Sequence, residues 1–300
     1  MDPPPPMSFS AQMRADAHKI IEQGHPEYLV REVSSISARM VEHFTAIPDS
    51  ALETLEDYLH NLWYQTILAG KHISASSYMQ DSLVCHLIAV KNLGPIPLPA
   101  GCTGGNVCSD GRTFLSDLPL FGQDLIKEFM SHFFQKGAYT PDQQENLAAL
   151  LGRLASVGIY DGPALCILSL FRETLEVPQS LVADPESKEI PLVDLMCALT
   201  RLIEQSKFSL ALLASGHAST ATANLSDHSN LSSLGELAIK AGNIPSLGYS
   251  RQRLEFWLRR IKELSQSEDE DVQLHAESCE GELLQLLRDV GETYGLGSGY

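Results

Sequence analysis

Nowhere in this sequence do about 18 apolar residues run together, so no segment is expected to cross a bilayer as a helix; the best short run is Leu210-Ala211-Leu212-Leu213-Ala214. The first residues, Met-Asp-Pro-Pro-Pro-Pro-Met-Ser, lack a positive cluster leading into an apolar stretch. A secretory signal is therefore not expected, and Asp2 with no early arginine argues against a mitochondrial presequence. Basic residues are scarce. The 21 Lys and Arg stand against 38 Asp and Glu, a formal net charge of -17 that repels phosphate backbones and anionic lipid. No nucleic-acid or membrane partner is expected on that ground, a nucleic-acid-associated regulator being a third reading that the charge disfavours, whereas a basic partner would suit the charge. Strict apolar–polar alternation is missing, which excludes a persuasive strand, and no repeat of fixed period supports a regular solenoid.

Cysteine is sparse and scattered: Cys85, Cys102, Cys108, Cys166, Cys197 and Cys279. Without a dense spacing pattern they imply a reduced, intracellular setting, cytoplasmic or nuclear. Cys85, Cys166 and Cys197 sit among apolar residues and read as small buried hydrophobes. The sequons at Asn224 and Asn230 are expected to go unused.

What the sequence does have is helix punctuation, and enough hydrophobic residues (44%) to build a core. Ser50 with Glu53 reads as a capping box opening a leucine stripe (Leu52, Leu55, Leu59, Leu62) that should stop at Gly70. Ser77 with Gln80 opens a helix closed by Gly94-Pro95. Thr140-Pro141 with Gln143 opens another that carries Leu147, Leu150, Leu151 and Leu154 to Gly158, and Asp161-Gly162-Pro163 starts one running to Glu176. Further helices are expected near 10–23, 27–45, 122–136, 191–213, 250–265 and 268–292. The fold class is all-α: an irregular bundle of about nine to ten helices. It is expected as a single domain over 9–300, with residues 1–8 a Pro-rich disordered start, 94–112 a Pro/Gly loop and 215–235 a flexible Ser/Ala/Thr-rich insertion.

No reactive constellation stands out. Gly101-Cys102-Thr103-Gly104-Gly105 fits neither phosphate-binding glycine pattern and lacks a nearby lysine. Cys102 and Cys108 are too widely spaced for a zinc knuckle, and a disulfide between them would need oxidation. His275 and Cys279, four apart on a helix, share a face but indicate no further metal ligands. There is no G-x-S-x-G, H-E-x-x-H, D-F-G or C-x-x-C. In 250–265, Leu254, Trp257, Leu258, Ile261 and Leu264 form a core-facing stripe with Arg253, Arg260 and Glu263 off it, an ordinary amphipathic helix with Trp257 buried. Ser265 and Ser267 precede an acidic run and are candidates for phosphorylation, although Ser267 with Glu270 reads more simply as a helix cap. No catalytic, cofactor-binding or metal residue is nominated, and no cofactor is implied.

Three segments in order resemble a family of fungal proteins classed only as a domain of unknown function. They are Leu118-Pro119-Leu120-Phe121-Gly122 after Leu115-Ser116-Asp117; Leu151–Gly158 with Leu168–Glu176; and Gly235-Glu236-Leu237 with Gly248–Trp257. Leu115, Ala238 and Leu254 stand where that family commonly has tryptophan. The resemblance covers about 50–265, implies a helical intracellular fungal protein and transfers no catalytic residue. The leading expectation is a non-catalytic helical protein acting through protein–protein contacts, as a scaffold or regulator. The rival is an enzyme or small-molecule binder with a pocket between helices, for example an accessory factor in fungal metabolism.

Overall fold

The computed structural model describes residues 9–44, 51–92, 117–179, 189–214, 229–245 and 247–294. Among these residues there are twelve α-helices and no strand, so the fold is all-α. Residues 1–8, the 94–112 segment, Ser50 and most of 215–235 lie outside the described residues. Where the sequence suggests one helical domain over 9–300, the helices gather into two compact units, Met1–Lys127 and Glu128–Tyr300.

The first unit holds α1 (Phe9–Glu22), α2 (Glu27–Phe44), α3 (Ala51–His72), α4 (Tyr78–Asn92) and nearly all of α5 (Phe121–Glu128). Its core sets Leu29, Val33 and Ile36 of α2 and Leu59, Leu62 and Trp63 of α3 with Leu83 and Leu87 of α4, all close to fully buried. Gly70 does not stop α3, which continues to His72. The reason lies in Gln80: its amide donates to the Gly70 and Ile73 carbonyls at 3.3 and 2.8 Å. The end of α3 thus gains donors for its orphan carbonyls without a left-handed glycine. Gln80 is consequently not the reciprocal half of a capping box, and Ser77 caps α4 alone by accepting from Met79 N at 3.2 Å. Leading into α5, Leu118 and Leu120 take positive φ (48° and 65°), a left-handed conformation that bulky residues rarely adopt. Both side chains are buried, and the intervening Pro119 carbonyl accepts the Trp63 indole N–H at 2.7 Å. Burial and that hydrogen bond offset the backbone strain.

The second unit contains α6 (Pro141–Ser156), α7 (Pro163–Leu175), α8 (Leu192–Ala214), α9 (Ser229–Ser232), α10 (Glu236–Ala241), α11 (Arg251–Leu264) and α12 (Glu270–Tyr294). Before α6, the chain leaves α5 through a wider π turn, Phe129–Phe133, whose Phe129 and Phe133 rings stack at 4.2 Å. The expected capping box of α6 is present: Thr140 Oγ1 accepts from Gln143 N at 3.2 Å, and Gln143 Oε1 accepts from Thr140 N at 3.0 Å. α6 and α8 make the most extensive helix pair. Gly152 permits their approach, since a Cβ there would lie 2.7 Å from the Leu202 carbonyl oxygen of α8. α7 is apolar on nearly every side and is buried accordingly. α12 lays Val272, Ala276, Cys279 and Leu283, at spacings of four, three and four, into the core and packs against α8 and α11.

Two expectations change here. Asp269, rather than Ser267, caps α12: its Oδ1 accepts from Asp271 N and Val272 N, both at 3.1 Å. A carboxylate suits that end of the dipole better than a hydroxyl. Residues 229–235, expected within a flexible insertion, are folded as α9 and the turn that leads to Gly235, the residue preceding α10, with Ser232 fully buried.

Candidate functional site

Among the described residues of the second unit, a densely connected polar cluster grows from Glu176, the residue that ends α7. Its backbone N–H donates to the Arg172 carbonyl at 2.8 Å, and its own carbonyl accepts from Leu237 N at 2.8 Å, tying α10 to the end of α7. Its side chain turns inward and is fully buried. Oε1 accepts from Arg253 Nε and Trp257 Nε1, each at 2.6 Å; Oε2 accepts from Arg253 Nη2 at 3.0 Å and from Gly235 N at 2.7 Å. The pairing with Arg253 is the bidentate fork that guanidinium and carboxylate geometry favours.

Arg253, also fully buried, has three N–H groups left after that fork's two. Nη1 donates to the Ser232 and Gly248 carbonyls at 2.9 and 2.8 Å, and Nη2 donates to the Ser233 carbonyl at 2.9 Å. All five donors are therefore matched, the condition under which a buried charge is tolerated. Arg253 reaches this place because Ser250 caps α11 by accepting from Arg253 N at 3.1 Å, which starts the helix at Arg251. Trp257, one turn on, stacks against Phe171 of α7 at 4.4 Å and is 1% exposed. Gly235 must be glycine, because a Cβ there would sit 2.6 Å from Glu176 Cβ and 2.8 Å from its carbonyl.

The sequence reading placed Trp257 correctly and Arg253 wrongly. A charged residue beside the apolar stripe reads as solvated, yet this one lies inside with its charge matched. The same bond set explains why 229–235 is folded: the segment has few large apolar side chains, and its main-chain carbonyls are gripped by a guanidinium instead. Chemically the cluster is closed. Every polar atom just named faces another protein atom, so it acts as a structural lock joining α7, α9, α10 and α11.

A second cluster lies between α8 and α12. Cys197 Sγ is 3.2 Å from His275 Nε2 and donates to Glu145 Oε1 at 3.3 Å. Arg201 Nε donates to the other Glu145 oxygen at 3.1 Å, and its Nη1 reaches Glu204 at 3.1 Å. Cys279, expected to share a face with His275, points inward to Thr200 Oγ1 at 3.3 Å, while His275 turns to Cys197. Distance alone would suit a thiol–imidazole pair. The electrostatics oppose it: burial first, then the hydrogen bond to Glu145, push the Cys197 thiol up to about 12. A nucleophilic cysteine needs the opposite shift. Cys197, Thr200, Arg201, Glu204, Leu274, His275 and Ser278 line a cleft of about 220 Å³.

Other nominated residues fare variously. Cys102, Cys108 and 101–105 lie outside the described residues. Of the three thiols expected to be buried, Cys166 is buried, Cys197 is half-buried and Cys85 is exposed, because its position on α4 turns away from the face formed by Leu83, Leu87 and Val90; Cys279 is buried as well. Ser265 donates to the Lys262 carbonyl at 2.9 Å, and Ser267 accepts from Asp269 N at 3.2 Å. Among the described residues, no group of three or more His, Cys, Asp or Glu is arranged to hold a metal ion, and no helix is long and apolar enough to cross a membrane.

With this geometry in view, the family resemblance takes physical form. The segments ending at Glu176, opening at Gly235 and spanning Gly248–Trp257 are the ones that meet in the lock. Ala238 and Leu254, in place of the family's frequent tryptophans, are both buried. The chain is similar to a protein of Penicillium oxalicum called oxopyrrolidines biosynthesis cluster protein G, with 27% identity over 231 residues, 72% of this chain and 61% of that protein. The match thus spans about three-fifths of that relative's length. No solved structure matches the chain. The model of a family described as protein of unknown function, DUF3632, matches residues 63–261, about two-thirds of the sequence, and the chain belongs to this family.

Proposed function

We propose that this protein acts by binding another protein rather than by catalysis, as a scaffold or regulator in the cytoplasm or nucleus. The observation that carries the reading is the state of the Cys197–His275 pair. Here a nucleophile and a base stand at working distance, yet the one thiol proton is directed at Glu145 rather than at the imidazole. The polar groups of the Glu176–Arg253 cluster are likewise directed at the fold itself. The excess of acidic residues supplies a general attraction for a basic partner. The Penicillium relative is named for a biosynthesis cluster, which suits an accessory role beside enzymes that make a small molecule.

Affinity capture of the tagged chain from fungal extract tests this. A protein partner retained in stoichiometric amount is the expected result. Recovery of no protein above background, together with a discrete small molecule carried through purification, would favour the second reading, an accessory enzyme or small-molecule binder. That second reading rests on the cleft between α8 and α12.

A further inference from the structure

We propose that the α8–α12 cleft binds a free α-amino acid, with its carboxylate against Arg201 and its ammonium against Glu204. The inference goes beyond the protein-binding reading and does not depend on it. Size and lining come first. The cleft, about 220 Å³, is below the roughly 300–1,000 Å³ that drug-sized ligands occupy. Thr200, Arg201, Glu204, His275 and Ser278 make its lining polar, and Leu274 is its one aliphatic side chain. Such a cleft suits a small, polar molecule.

What each group can still offer follows from the bonds it already makes. Arg201 commits Nε to Glu145 and one Nη1 N–H to Glu204, while Nη2 donates to no other described residue. The Glu204 carboxylate accepts from Arg201 Nη1 and from no other described group, so it keeps lone pairs open. His275 is set by Cys197. The thiol has a single proton and gives it to Glu145, so the 3.2 Å contact is the imidazole Nε2–H donating to sulfur. In the neutral ring that tautomer leaves Nδ1 as an acceptor. Ser278 Oγ meets no described partner and can donate or accept.

Charge then selects among small polar molecules. A simple anion would gain Arg201 but meet Glu204 beside it, with Glu145 on the far side of the guanidinium. A simple cation would gain Glu204 but meet Arg201. A molecule carrying both signs satisfies both. Arg201 Nη1 and Glu204 Oε2 are 3.1 Å apart, so the ligand's own charges must be neighbours too. An α-amino acid has this arrangement, with carboxylate and ammonium on one carbon. Its carboxylate takes Arg201 Nη2, and the three ammonium N–H groups have Glu204, His275 Nδ1 and Ser278 Oγ as acceptors. Leu274, 62% exposed, is the surface left for an apolar side chain of the ligand.

The probes are the common α-amino acids, offered singly to the full chain at up to about 10 mM, with binding read as a rise in Tm, because a ligand held only by the folded state stabilises it. At least one should raise Tm. For the best of them, isothermal titration calorimetry compares the free amino acid with its N-acetyl and carboxamide derivatives. The free form should bind at least about tenfold more tightly than either. The variants then cross. Arg201→Gln should abolish the advantage over the carboxamide and keep that over the N-acetyl form, and Glu204→Gln should do the reverse. A merely structural loss would not produce that crossed pattern, and far-UV circular dichroism checks that both variants fold. Ser278→Ala, an exposed change that leaves the fold intact, should weaken the free amino acid by about threefold or more. The site is overturned by no rise in Tm with any amino acid, by equal binding of free and blocked forms, or by variants that weaken all forms alike. If Arg201→Gln or Glu204→Gln does not fold, Ser278→Ala decides, and undiminished binding overturns the site. Affinity capture of a protein partner is a separate readout, so either reading can fail without the other.

Discussion

Consider Glu176→Gln, which preserves volume and changes one oxygen into an amide nitrogen. The carboxylate accepts four N–H groups, two at each oxygen. Whichever way the amide is turned, its NH₂ confronts two donors: Arg253 Nε and Trp257 Nε1 on one side, or Arg253 Nη2 and Gly235 N on the other. The variant therefore loses two hydrogen bonds, sets donor against donor and leaves the buried guanidinium without its counter-charge. Breaking a buried pair from one side costs about 3–5 kcal/mol. For a unit of this size that corresponds to a fall in Tm of roughly 6–20 °C. Urea and thermal unfolding followed by far-UV circular dichroism would measure it. Often a buried ion pair can be replaced by apolar residues at little cost. Here Glu176→Leu with Arg253→Met should remain destabilised, because the Ser232, Ser233 and Gly248 carbonyls and the Trp257 and Gly235 N–H groups would each lose the hydrogen bond that Glu176 or Arg253 gives them. A loss below about 1 kcal/mol for Glu176→Gln, or a double variant as stable as wild type, would refute the account.

Other outcomes follow from the same geometry. Gly235→Ala should destabilise by about 1–3 kcal/mol or more, measured by the same unfolding curves, because its Cβ meets backbone atoms of Glu176 that cannot swing away. Cys197, held up to about 12, should react with iodoacetamide at pH 8 at least about tenfold more slowly than an ordinary exposed thiol; Glu145→Gln should quicken it, as peptide mass spectrometry would reveal. Burial lowers the pKa of His86 on α4, which hydrogen-bonds Ser34 and Ser37 of α2 at 3.2 and 2.8 Å. In the window from its lowered folded value up to about 6.5, the unfolded chain binds more protons at this group. Stability should therefore fall as pH is lowered through that window. His86→Gln should lessen the loss between pH 7.5 and 5.5 in urea titrations; an unchanged slope would reject the assignment.

Much of the fold was legible because leucine spacing and capping chemistry are local. The box at Thr140 and Gln143 and the proline at 163 mark helix starts with no help from the rest of the chain. The failures are non-local. Gly70 looks like a stop until Gln80, ten residues on, supplies donors to the same carbonyls. α9 and α10, of four and six residues, are too short for a period to emerge. Arg253 was misread because its burial depends on a carboxylate 77 positions away. One signal was present: Gly235, Glu176 and the Arg253–Trp257 pair all fall within the segments that carry the family resemblance. The Cys197–His275 contact joins residues 78 apart and left no such trace.

The two tryptophans of the chain are divided between the units, Trp63 in the first and Trp257 in the second. Both indoles are buried, one N–H held by a proline carbonyl and the other by a carboxylate. Each half of the molecule thus carries one intrinsic reporter in its interior, whose emission should shift to the red when that half opens to water. Retaining one indole at a time would let each half announce its own melting, and the spacing between the two midpoints would measure how independently the halves are built.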